Sequence, residues 1–143
     1  MLHEDRTSVD APDAAAHAEE YRAVLAEIVE DHGVATVAEE TGVDEAALRA
    51  LTSADSAEAT EIDLEDAAAI QALDSDLDAE TIHAEACDNL LLGMSMAVLD
   101  VDTIAVEYEG ELSGTGIQQR LERRAPMTLA EFARIEHFVA SRR

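Results

Sequence analysis

Tyr21, Tyr108, Phe132 and Phe138 are the only aromatic side chains in this chain of 143 residues. An interior with so little aromatic bulk has to be built from Ala, Leu, Val, Ile and Met. Hydrophobic residues make up 48% of the sequence, enough to fill a core and too many for wholesale disorder. Such a composition favours helices, because strands draw heavily on aromatic and β-branched side chains. The length suits one domain or two tightly packed subdomains.

The apolar spacing agrees. In AAAHAEEYRAVLAEIVEDHG, Tyr21, Val24, Leu25, Ile28 and His32 recur at the intervals of one helix face, and Gly33 supplies a stop. Val34, Val37 and Ala38 share one face of a second, short helix that Gly42 ends. Asp44 is placed to cap a third, with Leu48 and Leu51 inward. A polar loop over 53–63 leads to a fourth helix headed by Asp63, with Leu64, Ala67, Ala68 and Ile70 inward. Asp78 then opens the most apolar helix. Its first half is amphipathic through Ile82, Ala86 and Leu90. Its end, LLLGMSMAVL, is apolar almost all round, which predicts the centre of the fold or a dimer interface. Ten residues are too few to span a bilayer. TIAVEYEG reads as a short helix capped by Asp102 or as a strand. ELSGTG reads as a turn, and IQQRLERR as a helix anchored by Ile117 and Leu121 and broken by Pro126. Thr128 and Glu131 have capping-box spacing and open a last helix, with Phe132, Ile135 and Val139 inward. The expected fold is all-α. It has a flexible tail over 1–12, a helix-turn-helix-like domain over 13–75 and a C-terminal helical domain over 76–143.

Charge sets the habitat. The chain has 33 acids against 9 bases, a net −24, and every base is Arg. So acidic a chain strains against its own repulsion in ordinary salt. In molar salt the Debye length falls to about 3 Å and the repulsion is screened. The absence of Lys points the same way, and the expectation is a cytoplasmic protein of an extreme halophile. Acidic charge is then a solubility device first. The balance is uneven, since residues 117–143 hold six Arg and three acids. The N-terminal stretch MLHEDRTSVDAPD is polar and unlike a signal peptide, and no membrane association is expected.

Counting Val34 as position one, Ala38, Gly42, Leu48 and Leu51 fall at the small, turn and packing offsets of a helix-turn-helix, with Val43 beside the turn. Residues 14–73 thus resemble a Cro/C1-type helix-turn-helix domain. The resemblance implies a four-helix scaffold and binding to double-stranded DNA through the third helix. Arg49, Thr52 and Ser53 are the candidate contacts there, joined by Arg120, Arg123 and Arg124 from the C-terminal cluster. The chemistry fits less well, because base reading needs Arg, Lys, Asn or Gln and the exposed positions of this helix are Asp44, Glu45, Ala46, Arg49 and Ala50. The Arg cluster can equally pair within the molecule or pack at a dimer interface.

Enzymatic readings are weak. His83 and Cys87 stand at i and i+4, but two ligands make no zinc site and no orienting third group is visible. Asp100 and Asp102 do not continue into a calcium loop. No metal, cofactor or catalytic residue is expected. GMSMAVLDVDTIA together with IQQRLERRAPMTLAEFARIEHFVASR resembles a family of small acidic helical proteins from halophilic archaea, which has no assigned activity to carry over. The function expected is a non-enzymatic, dimeric DNA-associated regulator. The alternative is a protein-interaction module that keeps the scaffold without base readout.

Overall fold

The computed structural model describes residues 1–4, 9, 11–53, 59, 61–109 and 111–143. It is all-helical. Among the described residues eight α-helices follow in order: α1 Ala14–His32, α2 Val34–Thr41, α3 Glu45–Thr52, α4 Leu64–Ala72, α5 Ala79–Met96, α6 Val101–Glu107, α7 Gly114–Leu121 and α8 Leu129–Arg142. The expected loop over 53–63 falls largely outside the described residues.

Polar side chains start most of these helices by accepting the free N–H groups of the first turn. Asp13, Asp44, Asp78 and Ser113 do so for α1, α3, α5 and α7. The α8 capping box forms in full, Thr128 accepting from Glu131 N and Glu131 accepting from Thr128 N. Three starts differ from expectation. The helix within TIAVEYEG is capped by Asp100, whose carboxylate accepts from Thr103 N at 2.8 Å, and Asp102 lies inside it. Helix α7 begins at Gly114, within the expected turn. Asp63 stands at the head of α4 without a side-chain cap, where the backbone groups on either side of it bridge to the start of α8. There, Leu64 N donates to Met127 O at 2.7 Å and Leu129 N donates to Ile62 O at 2.8 Å, an antiparallel bridge that ties the start of α4 to the start of α8.

Helix α1 is the hub. It packs against α8, the helix most distant from it in sequence, and also against α2, α3 and α4. Helix α5 packs along α4 and touches α8 and α7, and α6 pairs with α7. One hydrophobic cluster runs through both expected segments, from Tyr21, Leu25 and Val29 to Ile82, Phe132 and Ile135. The boundary expected at 75 falls in the turn between α4 and α5, and the core crosses it.

One expectation about exposure fails. Leu2 is fully buried, so residues 1–4 are not a loose tail. Leu2 N donates to Gln71 Oε1, and Asn89 Nδ2 donates to His3 O, anchoring this end to α4 and α5. The second half of α5, expected at the centre of the fold or in a dimer interface, is only partly buried. Gly93 and Met94 are buried, but Leu92 and Met96 face solvent. Among the described residues, no single helix is long and apolar enough to cross a membrane.

Candidate functional site

The segment expected to bind DNA folds into two short helices, α2 and α3, with Gly42 at the end of the first. Gly42 takes a left-handed φ of 78° and ends α2, its N–H bonding to Ala38 O. A Cβ there would be strained by the backbone, not by its surroundings. Val43 follows into the core, and Val37, Leu48 and Leu51 are fully buried. Ala38 is half-buried against the same cluster. Arg22 of α1 reaches across to donate to Leu51 O at 2.6 Å, which satisfies a C-terminal carbonyl of α3. These contacts fix α2 and α3 on α1 and turn the other side of α3 outward.

That outward side offers little to DNA. Arg49 is exposed but donates to Glu45 Oε2 at 3.3 Å, one turn back. The Thr52 hydroxyl is spent on Arg49 O, and Ser53 is exposed. Asp44 and Ala46 are exposed beside them, and Glu39 and Glu40 are exposed on α2.

The C-terminal arginines divide into two groups. Arg120 is partly buried, pairing with Glu131 at 3.3 Å and donating to Gly116 O. Arg134 stacks on Tyr108 at 4.0 Å and donates to Glu107 O. These two hold the molecule together. Arg123 and Arg124 stay exposed in the turn after α7, Arg124 only 3.7 Å from Glu122. Both line a groove with Asp63, Glu65 and His83. The structure therefore brings Arg123 and Arg124 together, and neither lines a cavity with Arg49.

His83 and Cys87 part company. His83 faces a groove of about 520 Å³ between α2, α4 and α5, with Glu65, Asp66, Glu80 and Arg123 around it. Burial pushes its imidazole pKa down, and burial together with Asp63 and Glu65 pushes the Asp66 carboxyl up. Cys87 does not line this groove. It is fully buried, and desolvation raises its thiol to about 11. A protonated, enclosed thiol is no nucleophile. Among the described residues no group of His, Cys, Asp and Glu is arranged to hold a metal ion.

A buried polar centre escaped the sequence reading. His17 of α1 donates from Nε2 to Glu136 Oε1 at 2.6 Å, and Tyr21 donates its hydroxyl to the same oxygen. All three are almost wholly buried. His17 Nδ1 makes no hydrogen bond among the described residues, with Glu20 Oε2 at 3.6 Å. Next to it, His137 Nε2 donates to Ala11 O. Local signals existed. His17 lies four residues before Tyr21 on the α1 stripe, and Glu136 lies four after Phe132 on that of α8. This centre serves to register α1 on α8.

Comparison with known proteins gives one family match: a model described as Family of unknown function (DUF5791) covers residues 17–142. No curated protein and no solved structure matches the chain.

Proposed function

We propose, for a chain that belongs to this family of unknown function, that it is a non-enzymatic protein-interaction module on a helix-turn-helix scaffold. It works in the cytoplasm of a cell that holds molar salt. The observation that carries the reading is the pairing of Arg49 with Glu45 on a helix face otherwise made of acids and alanines. Such a face has small side chains for close approach by another protein and almost no donors for base edges. The habitat rests on 33 acids against 9 bases without a lysine.

The exposed Arg123 and Arg124 favour a second reading, a DNA-associated regulator that grips phosphates at the turn after α7. Retention of fragmented genomic DNA in molar KCl separates the two. The interaction module leaves DNA unbound and retains a protein partner that Ala46→Gln with Ala50→Gln releases. Specific DNA retention that is abolished by Arg49→Ala, or by Arg123→Ala with Arg124→Ala, overturns that reading in favour of the regulator.

A further inference from the structure

Among the described residues, the large hydrophobics that stand well into solvent are Val24, Leu92, Met96, Val98 and Val106. Four of these five lie on one corner, where α5 gives way to α6 through a bend of 97°. Leu92 and Met96 are one helical turn apart on α5, and Val98 follows in the turn, 90% exposed. Val106 stands on the other limb of the corner.

Val98 is anomalous twice. Its φ is 57°, in the left-handed region that β-branched residues avoid. Val98 N donates to Ser95 O and Leu99 N donates to Met94 O, which closes the end of α5 as a Schellman turn. Gly or Asn is the ordinary occupant of this position, and either would relieve the backbone and suit water better. A valine here is unfavourable for both the folded backbone and solvation unless something covers it.

The borders of the patch indicate what covers it. Arg143 at the end of α8 donates to Met96 Sδ at 3.1 Å, and the neighbouring Arg142 is exposed over the Phe138 ring. Two residues beyond Val98 comes Asp100, also exposed. Arg143 at Met96 and Asp100 after Val98 thus put a cation and a carboxylate beside the apolar pair. A patch that carries both charges can be self-complementary under a two-fold axis through its apolar middle. The arginines of one copy then meet Asp100 of the other.

We infer that the α5–α6 corner is the interface of a two-fold homodimer, with Met96 and Val98 at its centre. This goes beyond the function proposed above, which concerns the opposite end of the sequence, α2 and α3; neither stands or falls with the other. Two chains of net charge −24 repel at low salt, so the dimer forms as salt is added, because molar salt screens that repulsion and strengthens apolar contact.

Sedimentation velocity of the full chain over a range of concentrations, in low and in molar KCl, tests this. Wild type should move from monomer to dimer as KCl rises. Val98→Asn should raise the dimer Kd tenfold or more while making the monomer harder to unfold, a combination that a merely structural role for Val98 does not produce. Met96→Gln and Arg142→Glu should weaken the dimer in the same assay. A monomer at all concentrations in molar KCl overturns the inference. So does a dimer whose Kd is unmoved by Val98→Asn and Met96→Gln.

Discussion

Glu136 is the residue on which the interior most depends. It is buried and accepts from both His17 and Tyr21, so removing it strands two donors. Glu136→Leu or His17→Ala should each cost about 3 kcal/mol, from buried polar groups left without partners. Glu136→Gln keeps an acceptor for Tyr21 and should cost less. Urea unfolding of the three variants in molar KCl ranks them; equal losses would refute the pairing. Cys87 gives a second check. With its thiol raised to about 11 by desolvation, it should resist an aromatic disulfide reagent at neutral pH until the protein unfolds. Rapid labelling of the native state would mean that α5 opens. The role of Glu136 was not legible in local pattern. The positions of His17 and Glu136 on apolar stripes marked them for burial, but their pairing spans 119 residues and depends on α1 meeting α8.

Helix boundaries were legible where a side chain does the work alone. Asp44, Asp78 and Thr128 each cap the helix that follows, and Gly33 and Gly42 end α1 and α2. Reading failed where a tertiary partner or a close competitor intervened. Asp63 heads α4, but the bridge to Thr128 takes the place of a side-chain cap. Asp100 wins over Asp102 because the helix begins at Val101, two residues earlier than the expected start at Thr103. The end of α5 was read from composition as central or as a dimer interface, because composition alone does not tell a core from a surface patch. Thr128→Ala should remove the capping box and cost about 1 kcal/mol in urea unfolding. The carboxyls of Asp78 and Asp100 are held below the usual range by hydrogen bonds from the backbone and side chain of Thr81 and Thr103. A depressed carboxyl stabilises the fold above its unfolded pKa, about 3.9, and the gain is lost as pH falls through the folded value. Asp100→Asn, which still caps but does not titrate, should therefore flatten the acid side of the stability profile. An unchanged profile would place the acid sensitivity elsewhere.

Taken whole, the molecule is a single core under an acidic surface. Its net charge of −24 predicts that the melting temperature rises steadily with KCl, as repulsion among exposed carboxylates is screened. A melting temperature independent of salt would remove the physical basis for the halophilic reading. The central pairing of α1 with α8 also bears on how the protein is made. Tyr21 and His17 leave the ribosome long before Phe132 and Glu136, the residues that cover them. At roughly 5–20 residues per second, the 119 residues between His17 and Glu136 take on the order of ten seconds to synthesise. For that interval the nascent chain carries the apolar stripe of α1 uncovered, with its histidine and tyrosine lacking their acceptor. Folding of the complete core therefore waits until α8 has emerged from the ribosome, and the growing chain presents a sustained target for chaperones.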